Sequence, residues 1–167
     1  MSESNFRKLQ EEITMLSNSQ DWYQAKLEWQ LKEIYQESGR ECLCGQNPIK
    51  NICVLENIHN GNIAEVGNVC VNKFLGITSA SGIFMAINRC YKDFTKSMGK
   101  DAFHYMIVQS KHMKPNNDCK LTEWERNFYS DTLKKKKLSE KQEKYRVRIN
   151  KKFLKFTVRK LKDRPIS

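Results

Sequence analysis

A mainly helical protein of the α+β class, with one small β-hairpin set into it, is what this sequence predicts, and three observations carry the expectation. Apolar residues recur every three or four positions on both sides of residues 41–76, bounded by residues that cap or stop helices. Inside 41–76 the pattern changes to two short β-branched segments around Asn60-Gly61. With 167 residues and 39% hydrophobic composition, the chain can bury one modest core and a small satellite. The expected organisation is N-terminal helices over 1–40, a hairpin module over 41–76, a helical core over 77–133 and a basic C-terminal helix or tail over 134–167. No internal repeat is visible.

In chain order, Phe6, Leu9, Ile13 and Leu16 are spaced for one helix face between Ser2 and Ser17. A second helix is predicted from Ser19 as cap, through Asp21 in its first turn, to Gly39 as its stop. Trp22, Ala25, Trp29 and Leu31 to Tyr35 form its bulky face, and both tryptophans are assigned to packing. The hairpin follows, with strands at Ile49–Glu56 and Ile63–Val69. A two-residue Asn-Gly turn takes positive φ at both positions and makes residue numbers across the hairpin add to 121. That register sets Cys53 opposite Asn68 and diagonal to Cys70, on one face and within roughly 8 Å. It also opposes Glu56 to Glu65 and leaves His59 at the far tip.

After Cys70, VNKFLG reads as a short helix stopped by Gly76. Ser79 or Ser81 caps a helix running to about Met98 with Gly99 as its stop, burying Ile83, Phe84, Ile87, Cys90, Tyr91 and Phe94. Asp101 starts another over Ala102–Lys111, carrying Phe103, Met106 and Ile107, and Lys114–Lys120 is a loop. Two capping boxes close the series. Thr122 with Glu125 opens LTEWERNFYSDTL, and Ser139 with Gln142 opens LSEKQEKYRVRINKKFLKF. In the last helix Tyr145, Ile149, Phe153 and Phe156 make the apolar stripe.

Six cysteines accompany an N-terminus, MSESNFRKLQ, that has no apolar h-region, and no segment reaches the roughly 18 apolar residues of a membrane span. The expectation is an intracellular protein, cytoplasmic or, in a eukaryotic setting, nuclear, whose thiols stay reduced for metal binding or burial. Cys42 and Cys44 are one residue apart, Gly45 supplies the free backbone of a tight knuckle, and Cys70 falls at a helix start that favours a thiolate. Zinc takes four thiolate or imidazole ligands in a tetrahedron. Cys42, Cys44 and Cys70 are the candidate ligands, with Cys53 as the fourth on the hairpin geometry and His59, His104 and Cys119 as alternatives. The competing reading of Cys53 is a small apolar residue on a buried strand face. Cys90 is assigned to the core, Cys119 to a free thiol in a polar loop, and His104 and His112 to ordinary helix positions. A Zn2+ ion here is expected to be structural, because no HxE or HExxH accompanies the cysteines. No Gly-rich phosphate loop, GxSxG or paired acidic motif appears, so no enzyme is expected.

The order CLCGQNPI, a hydrophobic segment ending in Glu-Asn, NG and VGNVCVNKF resembles a CxCG…GNxC…F zinc-finger-like module of small proteins in large DNA viruses, phages and bacteria. The likeness covers Glu28 to Leu75, and LTEWERNFY…LSEKQ, within Leu121 to Ile149, is similar to a helical tail that accompanies such modules. It implies a treble-clef-like or zinc-knuckle hairpin and a bound zinc. Most of these proteins have no assigned function. Some carry a histidine two residues after the second cysteine; Gln46 stands there in this chain, which leaves that ligand to another residue such as Cys53.

The formal charge of +11 is concentrated at one end. Residues 134–167 hold 15 Lys and Arg against Glu140, Glu143 and Asp163, whereas residues 1–133 hold 15 basic residues against 16 acids. Lys134, Lys135, Lys136, Lys137, Lys141, Lys144, Arg148, Lys151, Lys152, Lys155 and Arg159 are the candidate phosphate contacts, because each neutralised phosphate releases counterions. Lys134–Lys137 also fits a nuclear import signal. The function expected is therefore non-enzymatic binding of DNA or RNA with weak sequence preference. The alternative is a subunit of a virion or of a transcription or replication complex, binding protein partners through its finger and N-terminal helices. Membrane binding is not expected, since basic and aromatic residues are not segregated.

Overall fold

The computed structural model describes residues 2–158, and Arg159 among the candidate cations lies outside them. Among the described residues there are seven α-helices and one three-stranded antiparallel sheet, so the α+β expectation holds. They divide into two compact units, 2–80 and 81–158. No described helix is long and apolar enough to cross a membrane.

The first unit opens with α1 (Glu3–Leu16), capped by Ser2, whose hydroxyl accepts from the Asn5 amide, and it buries Leu9 and Ile13. The long second helix is not formed. Its place is taken by one turn, α2 (Trp22–Ala25), a 3-10 turn at Lys26–Glu28, and the strand β1 (Trp29–Arg40). Glu28 enforces the break. Its buried carboxylate accepts the amides of Asn18 at 2.8 Å and Ser19 at 2.9 Å and the Asn57 side-chain amide at 2.8 Å. The apolar spacing that imitates a helix comes from a bulge at Lys32, which shifts the pairing by one residue between Leu31 and Glu33.

β1 pairs with β2 (Ile49–Asn57), and β2 pairs with β3 (Ile63–Gly67), in the order β1-β2-β3. The predicted strands are present, but the two-residue turn is not. Among the described residues none other than glycine has positive φ, and only Gly61, at φ 75°, takes it in this loop. Asn57 builds a longer connection: its side-chain oxygen accepts the His59 and Asn60 amides, and its own amide donates to the Asn62 carbonyl at 2.8 Å. Paired residue numbers therefore add to 119, with Cys53 opposite Val66, Glu56 opposite Ile63 and Glu65 opposite Val54. The unfavourable Glu56–Glu65 pair does not occur; Glu65 instead bonds Arg40 and the Tyr35 hydroxyl. The side-chain amides of Asn60 and Asn62 donate to the Leu16 carbonyl, which closes the end of α1. At Gly67 the chain turns into α3 (Asn68–Leu75), and Gly76 ends that helix in the left-handed conformation at φ 69°, as predicted.

α4 (Ser79–Lys92) leads into the second unit, which also contains α5 (Gly99–His112), α6 (Glu123–Thr132) and α7 (Glu140–Thr157). α4 stops six residues short of Met98. Asp93 starts a side-chain turn with Thr95, Arg89 reaches the carbonyls of Ser97 and Met98, and Asn150 binds those of Phe94 and Lys96. Gly99 accordingly begins α5 instead of ending α4. Ile83, Phe84, Ile87 and Cys90 are buried, whereas Tyr91, within α4, and Phe94, beyond its end, are exposed. Both predicted capping boxes are formed. Ile149, Phe153 and Phe156 are buried as expected, and the core also takes Arg146, Asn150, Leu154 and Thr157.

Candidate metal centre and basic surface

The backbone around Gly45 folds Cys42 to Gln46 into a knuckle. The Cys42 amide donates to the Gln46 carbonyl at 2.9 Å, the Gly45 amide donates to the Cys42 carbonyl at 2.8 Å, and Gly45 takes φ 92°. This turn brings both cysteine sulfurs against the first turn of α3, where Cys70 is the third residue. The three sulfurs of Cys42, Cys44 and Cys70 lie within 4.8 Å of one another, and all three side chains are buried. Those of Cys42 and Cys70 are 3.5 Å apart. Zinc–thiolate bonds of about 2.3 Å in a tetrahedron separate their sulfurs by about 3.8 Å, so the triad matches one face of such a site.

The surroundings prepare thiolate character. The Gly67 amide donates to the Cys42 sulfur at 3.2 Å, and the amides of Cys44 and Gln46 point at the sulfurs of Cys42 and Cys44. A hydrogen bond from the Cys70 thiol brings Cys42 down to about 5 against the opposing effect of burial. Cys70 is pushed far up by that same bond and by burial, and Cys44 is raised chiefly by burial. Thiol ligands give up their protons as a metal ion binds, and the hydrogen-bond donors to its sulfur favour that exchange at Cys42. The cluster can hold a metal ion such as zinc.

Cys53 stands outside the triad. It pairs with Val66 and Ile34 on one face of the sheet, fully buried. The sulfur of Cys42 lies on the other face: a Cβ at Gly67, which pairs with Ile52, would sit 3.9 Å from it. Neighbouring strand residues point to opposite sides, so the sheet separates Cys53 from the cluster. Burial pushes the Cys53 thiol up to about 12, as befits a core residue. His59 lies in the hairpin loop, and His104 and Cys119 belong to the second unit. Cys119 is buried instead of displayed on its loop, while Cys90 is in the core as predicted.

A cavity of about 200 Å³ adjoins the triad, bordered by Gln46, Lys50, Asn51 and Asn68.

The basic residues divide into two groups. Lys134 to Lys137, in the α6–α7 connection, and Lys141, Lys144, Arg148, Lys151 and Lys155 on α7 are exposed. Lys152 is different: its ammonium contacts the Glu125 carboxylate at 2.7 Å and the Lys120 carbonyl at 3.0 Å. Lys155 also pairs with Asp118, at 3.2 Å on the surface. Beside these cations stands an aromatic trio. Trp124 stacks on Phe128 at 5.3 Å and meets the edge of Tyr145 at 4.6 Å, and Arg148 lies over the Tyr145 ring at 5.2 Å. Half of Trp124 remains in solvent. The sequence offered a signal for the trio, since Trp124 and Phe128 are spaced by four on one helix face.

Comparison of the chain with protein families, curated proteins and solved structures finds no match.

Proposed function

We propose that this chain is a non-enzymatic nucleic-acid-binding protein, with a zinc ion at Cys42, Cys44 and Cys70 stabilising the first unit and the α6–α7 surface of the second making the contact. The observation that carries the reading is the half-exposed Trp124, stacked on Phe128, set against the edge of Tyr145 and accompanied by Lys141, Lys144, Arg148 and Lys134 to Lys137. Cations hold a phosphate backbone by counterion release, and an exposed aromatic ring offers a surface for a base. Lys152 is removed from the contact set because its ammonium is committed to Glu125 and the Lys120 carbonyl, whereas Arg148, 3.5 Å from Glu125 but more than half exposed, stays in it.

Binding of fluorescent single- and double-stranded DNA and RNA across a salt series tests this. The expected result is a linear fall of log affinity with log salt, shallower after Lys134 to Lys137 are replaced by alanine. Dissociation constants weaker than about 100 µM for every probe at low salt would overturn it.

A second reading is favoured by Met15, Tyr23 and Leu27, which are exposed on or beside the N-terminal helical turns. Such side chains suit a protein partner, and an interface built on them would respond little to salt.

A further inference from the structure

The three-thiolate set is one ligand short of a closed structural zinc site, and the arrangement around it indicates where the fourth ligand enters. We infer that an ion held by Cys42, Cys44 and Cys70 keeps its fourth position open to the adjoining cavity, where it accepts a small exogenous thiol. The inference rests on the metal reading above but not on nucleic-acid binding.

Several observations support it. Cys53, the nearest candidate in the sequence, lies across the sheet from the sulfurs. The polar residues bordering the cavity are Gln46, Lys50, Asn51 and Asn68, with no acidic residue or histidine among them. Amide oxygens are weak ligands beside three thiolates, and that of Asn51 already accepts from the Gln36 amide at 2.9 Å. The cavity of about 200 Å³ exceeds the space of a single water, about 30 Å³ in the liquid, so a molecule of several heavy atoms fits. Lys50 is among the residues that border the cavity, and its positive charge favours an anionic entrant, while a soft thiolate suits a sulfur-rich ion. In the exchange the thiol gives its proton to solvent, a metal–sulfur bond forms, and the water it displaces leaves with no change of oxidation state.

The test uses the full chain loaded with Co2+ in a phosphine reductant, titrated with free cysteine and, as control, with serine. Sulfur-to-cobalt charge-transfer absorption scales with the number of bound thiolates, so cysteine should raise it by about one third while serine leaves it unchanged. Lys50→Glu should weaken the cysteine response several-fold without lowering cobalt content. Absorption that does not respond to cysteine overturns the inference. So does Cys53→Ala lowering the starting absorption, because Cys53 would then be the fourth ligand. Failure of the chain to take up cobalt or zinc would instead reject the metal reading itself, and the inference with it.

Discussion

Lys152 places its ammonium 2.7 Å from the carboxylate of Glu125, whose side chain is 2% exposed. The pair joins α7 to the capping box of α6, because the same Glu125 oxygen accepts the Thr122 amide at 2.9 Å. A residue that belongs to the basic run in the sequence is therefore half-buried and tied to a buried carboxylate of the second unit.

Replacing Lys152 by alanine should destabilise the protein by about 1–3 kcal/mol, since it leaves a buried carboxylate short of a partner. Arg148, 3.5 Å from the other Glu125 oxygen, limits the loss. Lys151→Ala, at an exposed neighbour, should stay within about 0.5 kcal/mol. Urea unfolding of the two variants separates them, and equal midpoints would contradict the assignment.

Acid should weaken the same junction. Burial raises the Glu125 carboxyl, but the Lys152 hydrogen bond and the Thr122 amide outweigh it and hold the group below its ordinary value. A carboxyl depressed by folding contributes stability that is present above its unfolded value, about 4.3, and is lost as pH falls through the folded one. Thermal midpoints should fall below about pH 5, and Glu125→Gln should flatten that decline.

Tyr129 and Asn150 give a second measure of the interior. The Tyr129 hydroxyl donates to Asn150 at 2.6 Å and accepts the Met98 amide at 2.8 Å. Tyr129→Phe strands both partners in the core and should cost about 1–3 kcal/mol in a denaturant titration.

For the metal centre, native mass spectrometry should find one ion per chain. Cys42→Ser or Cys70→Ser should abolish it, and Cys53→Ala should not. A strong chelator should lower the melting temperature of the unmodified protein by several degrees, as expected when metal binding contributes to folding.

Local chemistry made part of this structure legible in advance. Caps at Thr122 and Ser139, the stop at Gly76 and the Cys42, Cys44 and Cys70 group follow from residue types a few positions apart or from a tight knuckle. What escaped depends on distant partners. β1 imitates a helix because a bulge interrupts its two-residue period, and only pairing with β2 reveals the strand. The hairpin register moved because Asn57 engages its own loop and Glu28, 29 residues earlier. Lys152 reads as a solvent cation in the sequence because its partner Glu125 is 27 residues away and already accounted for by the Thr122 cap.

The connection from Ile58 to Asn62 measures out how much chain remains before the third sulfur. Deleting one of its residues while keeping the strands paired would turn every β3 side chain over, and Cys70 would arrive rotated away from its companions. Deleting two would preserve orientation and displace the arrival point by a single pleat. Tinkering with this distant asparagine-rich bend is thus a way to detune the sulfur cluster without touching any cysteine.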